Sequence, residues 1–207
     1  MTSNVGRAYD EMADAYVAVA AHDLKSGPTR RRLDEFAGMV AESSRPTLDL
    51  GCGPGHITAH LHRGGLDVCG IDASRSLLAE ARRTHPHLSF EHGDLAHVDG
   101  ADGSLGGLVS RHSIIHADPA VLGDIFAEWR RVLARRGALF LSFFAAMSSE
   151  RHGTPFDHAV VTAYELYPPT ISEELHRNGF VEVDVVLRRP QAGERPLDHA
   201  LLLARAG

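Results

Sequence analysis

Apolar positions along the chain follow two rhythms. Between residues 5 and 21, Tyr9, Met12, Ala13, Tyr16, Val17 and Ala20 recur at helical spacing. Behind Pro28, the stripe Leu33, Phe36, Ala37 and Val40 predicts a second helix over Thr29–Ala41. From Thr47 onward, short apolar runs alternate with helical stretches. The runs Thr47–Leu50, Leu66–Ile71, Leu88–Phe90, Leu105–Val109 and Ala138–Phe144 read as strands buried on both faces of a largely parallel sheet. The intervening helices carry their own punctuation. One runs from the glycine loop after Leu50 to about His62 and closes at Gly64-Gly65, and one is capped by Ser74 or Ser76 and runs through Arg83. A third begins at Asp118-Pro119 and carries the stripe Val121, Leu122, Ile125, Phe126, Trp129, Val132 and Leu133, which makes Trp129 a core residue. Residues Ala145–Tyr167 show no period and read as a loop covering a site. After Pro168-Pro169, Thr170 and Glu173 form a capping box for a helix ended by Gly179, and Val181–Leu187 and His199–Ala204 close the chain as an antiparallel pair. The alternation predicts an α/β fold: a doubly wound, mostly parallel Rossmann-like sheet with helices on both faces and the ligand at the carboxyl ends of the strands.

Composition narrows the class. The chain has 207 residues with 43% hydrophobic and 23% charged content, enough for one domain with a covered central sheet. A net charge of -6, with the arginines scattered as pairs, argues against a nucleic-acid surface. Cys52 and Cys69 give neither a disulfide framework nor metal spacing, and no basic-then-apolar leader or membrane-length apolar stretch is visible. A cytoplasmic protein with no bound metal and no membrane partner is expected.

The chemistry concentrates at Leu48-Asp49-Leu50-Gly51-Cys52-Gly53-Pro54-Gly55. Glycine at every second position suits a backbone that must lie against a ligand. A dinucleotide fingerprint would place its third glycine at position 56, which is His56, and no Lys-Ser/Thr pair follows, so neither that fingerprint nor a P-loop fits. Asp72, at the end of the second strand, stands where a carboxylate reaches both ribose hydroxyls of an adenosine. Asp94, at the end of the third, stands where it accepts from the adenine amine, with Leu95 as apolar cover. Together they describe an adenosine without a polyphosphate.

The ordered series Leu48–Gly55, Gly70-Ile71-Asp72-Ala73-Ser74, His92-Gly93-Asp94-Leu95 and Glu128-Trp129-Arg130-Arg131-Val132-Leu133 resembles the class I S-adenosylmethionine-dependent methyltransferases. Ser113-Ile114-Ile115-His116 and Thr162-Ala163-Tyr164 resemble a bacterial small-molecule branch, of the kind found in secondary metabolism. One departure is Arg135-Arg136-Gly137-Ala138, where the family usually has a basic residue, proline and two glycines. The resemblance implies a seven-stranded sheet of order 3-2-1-4-5-7-6 and a single domain over residues 1–207, with about 1–45 as a helical lid and about 46–207 as the cofactor-binding core. It also implies roles. Gly51 and Gly53 admit the methionyl part and the ribose, Asp49 orders the loop, Asp72 holds the diol, and Asp94 and Leu95 hold the adenine. The Arg111 carbonyl receives the methionine ammonium, and Tyr16 partners the carboxylate or packs within the lid.

The implied reaction is methyl transfer to an oxygen, nitrogen or carbon atom of a small molecule, leaving S-adenosylhomocysteine. The alternative is a scaffold or cyclase of the same fold that binds the cofactor without consuming it. His112, His116 and His158 are the candidate bases for an acceptor that arrives protonated, each with a packing role as its plain alternative. Monomer and homodimer are both open.

Overall fold

The computed structural model describes residues 2–20, 24, 27–191 and 193–207. Residue 21 and the side chain of Ala20, both part of the first expected helix, lie outside what is described. Strands β1 (Thr47–Leu50), β2 (Val68–Asp72), β3 (Ser89–His92), β4 (Leu105–Arg111) and β5 (Leu133–Phe144) pair in parallel with one another. The chain then forms a small hairpin, β6 (Thr154–Phe156) and β7 (Ala163–Glu165), before β8 (Phe180–Arg188) and β9 (His199–Ala206). The main sheet has seven strands in the order β3-β2-β1-β4-β5-β9-β8, with β9 antiparallel to both neighbours. Leaving the hairpin aside, this is the expected order.

The apolar runs follow from burial on both faces. Along β5, Leu139 and Leu141 join one core cluster while Ala138 and Phe140 join the other. Leu202 and Leu203 of β9 divide in the same way, as successive strand residues must. Helices α3 (Gly27–Ala41) and α4 (His56–Arg63) cover one face through Leu33, Phe36, Val40, Ile57 and Leu61. Helices α6 (Leu122–Val132) and α7 (Pro168–Arg177) cover the other through Phe126, Trp129, Ile171 and Leu175. Helix α5 (Arg75–Thr84) carries Leu78 and Ala81 against Cys52 and Phe90, and Ser74 caps its start by accepting from the Leu77 N–H at 3.1 Å.

Three expectations are corrected. The first helix is two, α1 (Thr2–Glu11) and α2 (Ala13–Ala20), separated at Met12. The aperiodic stretch Ala145–Tyr167 contains the β6–β7 hairpin, whose three-residue strands are too short to show a period. Thr170 does not cap α7. That helix starts at Pro168 behind Tyr167 with no side-chain cap, since proline has no N–H to satisfy and its φ is already helical. The departure at Arg135-Arg136-Gly137 is a bulge: the β4 pairing moves from Leu105↔Leu133 to Gly107↔Ala138, and Arg136 takes φ 63°. It lies at the amino end of β5, away from the carboxyl ends of the strands.

Candidate functional site

At the carboxyl ends of β1, β2, β3 and β4 lies a cleft of about 920 Å³, its solvent-filled mouth included. Its floor is the glycine loop. Gly51, Gly53 and Gly55 all have positive φ, at 75°, 54° and 81°. At Gly51 an added Cβ would stand 2.5 Å from the Ser113 Cβ, so the turn tolerates no side chain there. The loop is tied down by the Gly51 and Cys52 N–H groups, which donate to the Ile71 carbonyl at 2.7 and 3.0 Å. Cys52 turns away from the cleft into the cluster with Leu78, Ala81 and Phe90, and burial pushes its thiol well up, so it is a packing residue.

Asp72 sits where β2 ends and is held rigidly. One carboxylate oxygen accepts from the Gly53 N–H and the other from the Ser74 N–H, each at 2.8 Å. Burial nevertheless raises its pKa, the backbone hydrogen bonds only partly offsetting the loss of solvent. Each oxygen retains acceptor capacity, so the group can still take a diol. Asp94 follows β3, its carboxylate fixed by the Ala96 N–H at 2.8 Å. The neighbouring Leu95 carbonyl accepts from the Trp129 indole at 2.7 Å, so the core tryptophan also sets this wall. Beneath the loop, Asp49 is fully buried and accepts from the Thr58 hydroxyl at 2.7 Å, and loss of solvent pushes its carboxyl up to about 6.

The roof comes from α1 and α2. Gly6 lies so close to the Ala73 carbonyl that a Cβ would approach its oxygen to 2.4 Å. Asp10 accepts from the Ser74 hydroxyl at 2.7 Å and the Ser76 N–H at 2.9 Å, which fastens α1 to the start of α5. Tyr9 packs edge-on against Tyr16, ring centroids 5.1 Å apart, and its hydroxyl donates to Nε2 of His116 at 2.8 Å.

The residues singled out from the sequence converge. Tyr16, Gly51, Gly53, Asp72, Asp94, Leu95, Arg111, His112 and His116 all line this one cleft. His158 does not line it; it stands behind His116, ring centroids 5.1 Å apart, within reach of Phe144 and Phe156. Burial lowers the pKa of all three histidines, taking His158 to about 4 and His112 well below the ordinary imidazole range, where Arg111 adds to the effect. All three are neutral at physiological pH. The sequence did not reveal Tyr9, His199 or Glu194. They meet the site across long stretches of chain, Tyr9 and His116 being 107 residues apart and His199 and His112 being 87. Among the described residues no cluster of His, Cys, Asp and Glu is arranged to hold a metal, and no helix is long and apolar enough to cross a membrane.

An open sheet with a glycine loop after β1 and carboxylates after β2 and β3 defines a Rossmann-like domain for a nucleoside cofactor. Comparison with known proteins is specific about which. Residues 47–137 match the methyltransferase domain family. The chain is 34% identical over 117 residues to demethylmenaquinone methyltransferase of Beutenbergia cavernae, a match covering 55% of this chain and 48% of that protein. Its fold resembles that of the [4+2]-cyclase SpnF, with a TM-score of 0.75 at 17% identity over 99% of this chain and 96% of that one. It also resembles the 1,6-didemethyltoxoflavin-N1-methyltransferase of Burkholderia thailandensis with bound 1,6-didemethyltoxoflavin and S-adenosylhomocysteine, with a TM-score of 0.64 at 20% identity over 94% of this chain and 87% of that one. Over residues 47–137 the chain is similar to that methyltransferase domain family, and its fold resembles that of S-adenosylmethionine-dependent methyltransferases of known structure. The chain spans about half the length of that curated relative. The residues present fit the family's cofactor: Asp72 and Asp94 are rigid acceptors one strand apart, and the loop backbone between them leaves no room for side chains at Gly51.

Proposed function

We propose that the protein transfers a methyl group from S-adenosylmethionine to a small-molecule acceptor. The observation that carries this reading is the joint placement of Asp72, Asp94 and the glycine loop around one covered cleft. In this reading Asp72 accepts from the ribose diol, Asp94 and Leu95 hold the adenine, and Gly51 and Gly53 admit the ribose and the methionyl part. The Arg111 carbonyl takes the ammonium, and Tyr16 faces the carboxylate. The cofactor supplies a methyl group on a sulfonium, open to in-line displacement. The chain's own work is to align an acceptor, exclude water and accept a proton where the acceptor carries one. Helices α1 and α2 serve as the lid, and the rest of the single domain is the core. His112 and His116 stand on the acceptor side of the cleft, with His158 behind them. Apart from Asp72, Asp94 and Arg111, the cleft lining carries no side chain that is charged at neutral pH, which supports a small molecule over a nucleic acid.

The test is calorimetric titration with S-adenosylmethionine and S-adenosylhomocysteine. Saturable binding is expected, and Asp72→Asn should weaken it at least tenfold, since two charge-assisted hydrogen bonds contribute about 1.5–3 kcal/mol. Absence of saturable binding would overturn the reading. The fold likeness to a cyclase favours one second reading, in which the cofactor is bound but not consumed. Incubation with methyl-labelled cofactor and a small-molecule extract separates the two, because label in a product requires transfer.

A further inference from the structure

His112 belongs to the cleft wall, yet its other side is engaged in a chain of polar groups leading away from it. Its Nε2 lies 3.2 Å from Nδ1 of His199 on β9. Nε2 of His199 lies 3.6 Å from the Glu194 carboxylate, an electrostatic contact longer than a hydrogen bond. Glu194 is held by both Nη atoms of the buried Arg188, at 2.6 and 3.0 Å, and by the Gln191 N–H at 2.7 Å. So engaged, the carboxylate is an anion, and it selects the proton position on the ring it faces. His199 carries its hydrogen on Nε2 and offers the Nδ1 lone pair. His112 then donates from Nε2, and its own lone pair is on Nδ1, to which nothing among the described residues is bonded. His116 is arranged differently. Its Nδ1 is 3.1 Å from the Thr162 carbonyl, which can only accept, and its Nε2 receives the Tyr9 hydroxyl. Both of its nitrogens are therefore occupied by the fold. His112 also sits at φ 52°, a conformation few residues adopt outside a constrained site, with its N–H donating to the Ser142 carbonyl at 2.9 Å.

We propose that Glu194 and His199 are positioning residues that fix His112 as its Nε2–H tautomer, leaving Nδ1 as the base that faces an acceptor bearing a removable proton, a hydroxyl or acidic N–H compound. The inference rests on the methyl-transfer reading and deepens it. In the step it describes, the acceptor's proton passes to Nδ1 of His112 as an acceptor lone pair forms the bond to the methyl carbon. The electron pair of the breaking C–S bond stays on sulfur, which becomes a neutral thioether. Total charge in the cleft is unchanged: the positive charge leaves sulfur as one appears on the imidazole. In a poorly solvated site this relocation costs less than creating or removing a charge. On the far side, the Nδ1 lone pair of His199 accepts from the Nε2–H that the imidazolium keeps.

The test is nitrogen NMR of the histidine side chains in the ligand-free protein at pH 7.5, with peptide mapping after brief reaction with diethyl pyrocarbonate. His112 and His199 should each show a protonated Nε2 and an unprotonated Nδ1, and His112 should be carbethoxylated. In Glu194→Ala, and in His199→Phe if it folds, the single tautomer of His112 should be lost to a mixture. A proton on Nδ1 of His112, a tautomer unchanged in Glu194→Ala, or an unreactive His112 alongside modified surface histidines would overturn the inference. None of these readouts uses the cofactor, so a failure here leaves the methyl-transfer reading standing, and a failed cofactor titration leaves these signals untouched.

Discussion

At the scale of single residues, the cleft depends on carboxylates placed where carboxylates are costly. Asp49 is the clearest case. Burial holds its folded pKa near 6, above the ordinary 3.8, and the Thr58 hydroxyl lowers it only in part. In the folded chain the group stays protonated to higher pH than in the unfolded one. Its contribution to stability is thus fully present below about pH 4 and is lost as pH rises through 6. The span is about 3 kcal/mol. Asparagine keeps an oxygen for Thr58 and carries no charge. Asp49→Asn should therefore gain stability relative to the parent between pH 4 and pH 7 and hold a constant difference above that. Urea unfolding of both proteins across this range reads the difference directly, and a difference flat with pH would exclude the protonation argument. Asp72 and Asp94 were legible in the sequence because each ends a strand, and strand ends are marked by the loss of the apolar run. Tyr9 and His199 were not. One sits in a helix with ordinary spacing and the other at the start of a buried strand, and only the fold brings them to His116 and His112.

At the scale of elements, the distinction between core and lid follows from what each helix buries. Helix α3 commits Leu33, Phe36 and Val40 to the sheet, whereas α1 is held over the cleft by three local contacts: Gly6 on Ala73, Asp10 on Ser74 and Ser76, and Tyr9 on His116. Sequence periodicity sees two amphipathic helices before β1 and cannot tell which surface each one meets, so the sequence grouped both as lid. It likewise read the apolar runs as strands and missed the β6–β7 pair, whose segments Thr154–Phe156 and Ala163–Glu165 form no such run. A consequence is that α1 can be displaced without unfolding the core. In Gly6→Val the new side chain meets the Ala73 carbonyl, a backbone atom that cannot swing aside. Limited proteolysis of this variant should cut within residues 2–20 faster than in the parent, and cofactor affinity should fall several-fold, while the unfolding midpoint of the remaining chain stays within about 2 °C. A midpoint drop as large as that of a core cavity would show that α1 is part of the cooperative unit and not a lid.

At the scale of the molecule, the same sheet that was readable as alternating strands and helices determines which ligands stabilise the protein. Four strand ends and helix α1 meet at the cleft, so a ligand filling it ties β1, β2, β3 and β4 to α1 and should raise the global unfolding temperature, not merely order a loop. By mass action a ligand at one hundred times its dissociation constant adds about 2.7 kcal/mol. For a domain of this size that corresponds to roughly 5–10 °C. Thermal unfolding with S-adenosylhomocysteine should show this shift. NADH should give none, since the loop has His56 where the third glycine of a dinucleotide fingerprint would stand, and ATP should give none because the loop offers its triphosphate no lysine. The three ligands share an adenosine, so Asp72 and Asp94 alone would treat them alike. Discrimination must come from what lies beyond the ribose, where Gly51, Gly53 and Tyr16 line the cleft and Arg111 is the guanidinium on its wall among the described residues. A comparable shift with ATP would mean that the adenosine contacts dominate and that the glycine loop does not select the methionyl half of the ligand.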